Sequence, residues 1–198
     1  MKKRSGGKTS GKAKFLAPAP PRLYWTPHGS ALKHCFLCGG RLVERYVKNE
    51  KRRRDVCVCC GIINYMNPKV VAGLIPVLPD GRIVLLKRSK APAQGKWTFP
   101  AGYQEMGETV AQAASRESQE EIHLRVKARS LVGIYSYASS GVVTIVFEGP
   151  VRRGQTPSPG DEASAVKAVP VDEIPWGRLA FRSTIQALRD WEKGIGAR

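Results

Sequence analysis

Four of the five cysteines fall into two Cys-x2-Cys pairs, Cys35-Phe-Leu-Cys38 and Cys57-Val-Cys59-Cys60, with 18 residues between the pairs. Thiolates at i and i+3 on a tight turn can grip one ion, and a second such pair completes a tetrahedral sulfur shell. Gly39 and Gly61, directly after each pair, relieve the backbone where the turn closes. Cys35, Cys38, Cys57 and Cys60 are therefore the expected zinc ligands. Cys59 is left over, although it could substitute for a neighbour geometrically. Five unrelated thiols, or a redox pair, would not explain two matched pairs. Four thiolates leave no open coordination position, so this zinc is expected to be structural rather than catalytic. The spacing thus predicts a small metal-stabilised ribbon over residues 31–66.

The formal net charge is +17, and it is unevenly spread. Residues 1–66 hold 15 Lys and Arg against three acids, a net of +12, which leaves +5 for residues 67–198. Residues 1–30 are basic at the start and Pro-rich after Ala17, and bury too little apolar surface to order themselves, so a disordered tail is expected there. Its apolar stretch, Phe15 to Ala19, contains Pro18 and is too short for a signal peptide. No apolar run approaches the roughly 18 residues of a membrane span, so no membrane partner is expected. A cytoplasmic bacterial protein is the default, with organelle targeting the alternative in a eukaryote. The basic front end could attract nucleic acid, anionic lipid or phosphorylated substrates, but a solubilising role with no specific partner is the favoured reading. Lys51 to Arg54 lie between the cysteine pairs with only Tyr46 as an interleaved aromatic, which favours a solvated hairpin over a nucleic-acid strip.

From Pro68 the chain changes to apolar runs divided by turns. Val70–Val77 and Ile83–Leu86 read as strands joined through Pro79, Asp80 and Gly81 into a hairpin. Trp97–Pro100 reads as a short strand before a loop, Ala101–Glu108. A helix is expected from Thr109 to Leu124, opened by a Thr109/Gln112 capping box. Strands are expected at Leu131–Ala138, Val142–Glu148 and Ala165–Val171, and a closing helix at Ser183–Lys193, ended by Gly194.

The first of these helices carries Glu117, Glu120 and Glu121. At about 100° per residue, the second and third fall about 60° and 40° to either side of the first, so all three carboxylates share a face. Ala111, Ala114, Ser118 and Ile122 form a neighbouring stripe suited to packing on a sheet. Glu117 and Glu121 repel one another at i, i+4, and a cation between them would relieve this. Hard oxygen donors suit Mg2+ or Mn2+.

Read from Gly102, the chain gives Gly102, five residues, Glu108, seven residues, then Arg116-Glu117-Ser118-Gln119-Glu120-Glu121-Ile122-His123-Leu124. This resembles the Nudix box, G-x5-E-x7-R-E-U-x-E-E-x-G-U, where U is aliphatic. Ser118 departs from an aliphatic position and His123 from a glycine. Histidine is among the residues that tolerate positive φ, so a local cost rather than a lost site is expected. The ribbon, Asn67-Pro68-Lys69, Trp97 to Tyr103 and Asp172-Glu173-Ile174-Pro175 extend the likeness to zinc-ribbon Nudix hydrolases, most similar to the ADP-ribose/FAD pyrophosphatases of plant chloroplasts and their bacterial relatives. The ribbon also resembles that of NADH pyrophosphatases, but their Ser-Gln-Pro-Trp signature is absent, the chain reading Ile134-Tyr135-Ser136-Tyr137-Ala138.

The resemblance implies an α/β/α sandwich around a mixed sheet over residues 67–198. It implies Mg2+- or Mn2+-dependent hydrolysis of a nucleoside diphosphate linked to another moiety, with ADP-ribose or FAD as substrate and AMP as product. Glu117, Glu120 and Glu121 would hold the catalytic metal, and Arg116 would tie the helix carboxylates to the box loop, including Gly102 and Glu108. The base would be Glu117 or a loop acid, for which Glu162 stands as the candidate beside its reading as an exposed loop acid. Arg88 and Lys87 could reach phosphate, and Trp97, Tyr103 or Tyr135 could stack on a base. A homodimer is compatible with all of this. Two alternatives stand beside it: a pyrophosphatase for NADH, nucleoside triphosphates or RNA 5′ ends, and a non-enzymatic nucleic-acid-binding protein built on a retired core.

Overall fold

The computed structural model describes residues 32–138 and 140–196, so the expected basic tail lies outside the described residues. Strands β1 (Leu42–Val47), β2 (Arg52–Cys57) and β3 (Ile63–Asn64) form a three-stranded antiparallel sheet that carries the cysteine pairs. Its apolar core is small: Cys35, Leu42 and Cys57 are buried, with Ile62 against them.

The larger sheet is built from β4 (Lys69–Val77), β5 (Ile83–Arg88), β6 (Trp97–Thr98), β7 (Ala101–Tyr103), β8 (Ser130–Ser136), β9 (Val142–Pro150) and β10 (Ala163–Val169). Its main order is β10-β5-β4-β9-β8, with β6 on β5 and β7 on β4. The sheet is mixed, because β4 and β9 are parallel whereas the other pairs are antiparallel. Side chains alternate across a strand. Ile83 and Leu85 therefore join Ala187, Leu188 and Trp191 of helix α2 (Arg182–Gly196) on one face. Val84 and Leu86 join Ala113, Ala114 and Ile122 of helix α1 (Val110–Ile122) on the other. Residues Ile83 to Leu86 are all fully buried, as expected of a strand covered on both sides. The result is the α/β/α sandwich.

Most expected elements shift by one to three residues at an end, and three differ for a specific reason. The β4–β5 hairpin opens at once: only Val77 and Ile83 pair, and the chain from Trp97 to Tyr103 fills the gap, pairing β6 with β5 and β7 with β4. Strand β10 runs Ala163–Val169 rather than Ala165–Val171, because Pro170 has no N–H to continue a ladder. Helix α2 continues through Gly194 to Gly196, since one glycine near a helix end costs only about 1 kcal/mol relative to Ala. Among the described residues no helix is long and apolar enough to cross a membrane.

Candidate active site

Helix α1 starts where Thr109 and Gln112 make the reciprocal capping box. It ends at His123, which adopts φ 54° and ψ 27° and donates its N–H to Gln119 and Ser118 carbonyls. The imidazole Nδ1 sits 2.9 Å from Ser158 Oγ, so the residue replacing glycine gains a side-chain partner. Ser118, in place of an aliphatic residue, is fully buried, and its hydroxyl donates to the Leu124 carbonyl at 3.0 Å. Its polar atom is thereby satisfied inside the packing face.

Arg116 organises the acids. Its guanidinium donates to both oxygens of Glu108 at 2.8 and 3.2 Å, to Glu117 Oε1 at 2.7 Å, to Glu120 Oε2 at 2.9 Å and to the Tyr103 carbonyl at 3.0 Å. One planar cation with several fixed donors can hold a loop and two helix carboxylates at once. It also holds the Glu108 carboxyl below the usual range, helped by the Glu105 N–H. Gly102 lies directly under Glu117, and a Cβ there would fall on the Glu117 carboxylate.

Glu121 stands apart from Arg116. It is 4% exposed, and its Oε2 accepts the Ala101 N–H at 2.8 Å. Burial, reinforced by the charges of Glu117 and Glu162, pushes its carboxyl up to about 8. Burial also raises Glu117, against the pull of Arg116. The Arg88 charge also acts on Glu121 without undoing the effect of burial, so holding these groups ionised calls for further positive charge, and a hard oxygen donor set fits a divalent cation.

A pocket of about 640 Å³ opens beside them, lined by Gly102, Tyr103, Arg116, Glu117, Glu120 and Glu121 and, from outside the box, by Lys90, Asp161 and Glu162. The loop after β9 reaches this place by docking on the end of α1. Ser158 and Gly160 donate their N–H groups to the Ile122 and Glu121 carbonyls at 3.1 and 2.9 Å, satisfying acceptors that a helix end leaves open. Gly160 is required by this approach, since a Cβ there would fall on the Glu120 carbonyl. Gly160→Ala is expected to cost about 2 kcal/mol, as overpacking against backbone does, and to displace the Asp161/Glu162 rim. Thermal melting roughly 5 °C lower, together with slower turnover, is the expected result.

Glu162 is on the pocket rim, ion-paired with Lys90 at 3.3 Å. Tyr103 is also on the pocket, 42% exposed as a residue, with Lys69 Nζ 4.9 Å from its ring centroid. Trp97 and Arg88 are not brought into the pocket lining. Trp97 is partly buried against the α2-side core, and Arg88 donates to the Pro92 carbonyl and lies over Phe181. Tyr135 is buried, with its hydroxyl donating to Asp190. Sequence reasoning missed Lys90, Asp161 and Gly160. A glycine directly before two acids, with a strand following, was the available signal for the last two.

In the ribbon, the Sγ atoms of Cys35, Cys38, Cys57 and Cys60 all lie within 4.8 Å of one another, and Cys59 is not among them. Two of these contacts are 3.5 and 3.8 Å. Tetrahedral ligands about 2.3 Å from an ion stand about 3.8 Å apart, so the cluster has the dimensions of a zinc site. Gly39 and Gly61 have φ of 70° and 74°, which permits the turns. Burial works against the Cys35 thiolate, but the N–H groups of Cys38 and Leu37 and the Asn64 amide outweigh it, lowering the thiol to about 6.

The site thus sits on a helix packed against a mixed sheet, with its carboxylates locked by Arg116 to the loop that carries Gly102 and Glu108. The NUDIX domain family matches residues 67–188, and the chain belongs to the Nudix hydrolase family, whose members use divalent metals. It is similar to an ADP-ribose pyrophosphatase of Methanocaldococcus jannaschii, 33% identical over 82% of this chain and 99% of that one. A NAD-capped RNA hydrolase of Stutzerimonas stutzeri is 25% identical over 86% of this chain and 62% of its own length. Among solved structures, a Nudix hydrolase from Nitrosomonas europaea aligns with TM-score 0.77 and 36% identity, covering 83% of this chain and 94% of that one.

Proposed function

We propose that this Nudix hydrolase cleaves the pyrophosphate of ADP-ribose or FAD and releases AMP, using Mg2+ or Mn2+ held by Glu117, Glu120 and Glu121. The observation that carries the reading is the gathering of these three carboxylates with Glu162 around one pocket. When bound, the ion supplies charge against the pyrophosphate and acidifies the attacking water. Arg116 fixes Glu117 and Glu120, and the Ala101 N–H fixes Glu121, so the acids need no rearrangement to act. Glu162 is the proposed proton acceptor, because it lines the pocket and, among the described residues, its carboxylate pairs with the rim cation Lys90 alone. Tyr103 offers its exposed ring to the adenine or flavin. Trp97 and Arg88 act instead as framework.

The likeness to an ADP-ribose pyrophosphatase over nearly its full length supports the substrate choice. NADH, nucleoside triphosphates or RNA 5′ ends form the second reading, favoured by the NAD-capped RNA hydrolase relatives, of which this chain spans roughly half to two thirds. The reading includes a structural zinc on the four cysteines, a ribbon and a Nudix domain meeting near residue 67, a cytoplasmic location, and a homodimer as an open option.

Turnover of ADP-ribose, FAD, NADH and ATP at equal Mg2+, followed as AMP release, tests the choice. ADP-ribose or FAD should lead and NADH should trail, because the Ser-Gln-Pro-Trp signature is missing. NADH as the best substrate would overturn the choice while leaving the reaction type intact.

A further inference from the structure

A groove of about 1230 Å³ lies on the other flank of α1 from the carboxylate pocket, lined by Ser115, Arg116 and Gln119, by the chain after α1, and by the turn after β9. Arg125, Lys127 and Arg129 stand exposed on one wall, alternating with Val126 and Ala128, which turn toward the core. Alternate residues on extended chain lie roughly 6.6 Å apart, so the three cations form a row. Arg152 and Arg153 line the other wall, also exposed.

The walls are fixed to one another. The Gln155 side chain accepts the Arg125 N–H at 2.8 Å and donates to the Arg125 carbonyl at 3.3 Å. The Ala128 N–H donates to Ser115 Oγ at 3.1 Å, and the Arg129 N–H to the Glu148 carbonyl at 2.9 Å. No acidic residue lines the groove, and among the described residues none of these five cations makes an ion pair. Holding five like charges together disfavours the compact state, a cost that an anionic partner would relieve.

We infer that this groove binds the phosphodiester backbone of a single-stranded nucleic acid. The cations spread along two walls instead of converging on one point, and the volume exceeds the roughly 300–1,000 Å³ of small-ligand pockets, so the partner is an extended polyanion. A flexible strand can follow a concave track that a straight duplex or a flat membrane spans without entering. The lining offers no aromatic platform, so binding reads phosphates and not bases. Arg116 lines both this groove and the carboxylate pocket, which puts a bound strand next to the reaction centre. The site does not depend on the reaction proposed above.

The test measures fluorescence anisotropy of a labelled oligouridylate of about 12 nucleotides with a 5′-hydroxyl end, which presents no pyrophosphate to the carboxylates. The full chain is compared with a groove variant, Arg125→Ala/Lys127→Ala/Arg152→Ala/Arg153→Ala, and a charge-matched tail variant, Lys2→Ala/Lys3→Ala/Arg4→Ala/Lys8→Ala. The groove variant should bind at least about tenfold more weakly near 0.1 M salt. Its plot of log affinity against log salt should flatten by about 3, at roughly 0.7 per lost phosphate contact. Its ADP-ribose turnover should match that of the unsubstituted chain. The pair Arg152→Glu/Arg153→Glu should weaken binding in the same direction, which guards against a folding defect in the quadruple variant. Wild-type binding by both groove variants, with loss confined to the tail variant, would overturn the inference. So would binding of phosphatidylserine vesicles by the full chain without binding of the oligonucleotide.

Discussion

Glu121→Gln should yield a protein that melts no lower than the unsubstituted chain in EDTA, yet turns over substrate about a hundredfold more slowly with Mg2+. The two halves of this result come from the same carboxylate. Glu121 is 4% exposed, and burial first, then the Glu117 charge, lifts its carboxyl from 4.5 to about 8, against the pull of the Ala101 N–H. Between those two values the unfolded chain is ionised while the folded, metal-free chain retains the proton. The folded state binds more protons, so its stability falls as pH rises through that window. Glutamine retains the acceptor for the Ala101 N–H and never ionises. The variant's advantage in EDTA should therefore grow from about pH 5 to pH 8.

The rate falls because one anionic ligand is gone. Losing one electrostatic contact to a developing phosphoryl charge costs about 3 kcal/mol, or roughly a hundredfold. Excess Mg2+ should restore part of the loss. Glu120, whose side chain is 56% exposed and paired with Arg116, should show a comparable rate loss as Gln. If these glutamates served only as ion pairs, turnover would stay near that of the unsubstituted chain.

The second large effect concerns the ribbon. Among the described residues its apolar core is three buried residues, Cys35, Leu42 and Cys57, two of them proposed ligands. So small a core cannot offset the entropy of ordering a three-stranded sheet. Structural zinc contributes about 10–16 kcal/mol in comparable small sites, so the ion and the fold should be lost together. Elemental analysis should find about one zinc per washed chain. Cys38→Ser should lose it, and amide exchange should then rise throughout residues 35–64 while α1 and the larger sheet stay protected. Full zinc retention in that variant would remove the four-cysteine assignment.

What was legible in the sequence was contiguous. The capping box, the carboxylate face of α1 and the two cysteine pairs each depend on spacings of three or four residues, and a helix or tight turn converts such spacings directly into geometry. The layer order came from the resemblance to the Nudix box, and the run Ile83 to Leu86, buried on both faces, agrees with it. Features set by distant pairing were not legible. The β4–β5 hairpin opens because the segment from Trp97 to Tyr103 inserts between its strands, which turns Trp97 toward the α2 side. The Lys90–Glu162 pair joins positions 72 residues apart, and the docking of Gly160 depends on carbonyls at the end of α1. No local period encodes either contact. The groove cations were visible only as scattered basic residues until Gln155 joined the two segments.

The central claim is that the α1 carboxylates, with a divalent ion, hydrolyse a nucleoside-diphosphate-linked substrate. The most direct measurement is product analysis of ADP-ribose incubated with the full chain, first in EDTA and then after Mg2+ is added in excess. The account predicts no AMP in EDTA, and AMP with ribose 5-phosphate in equal amounts once Mg2+ is present. AMP release at the same rate in EDTA, or cleavage with Mg2+ at a bond other than the pyrophosphate, would contradict it.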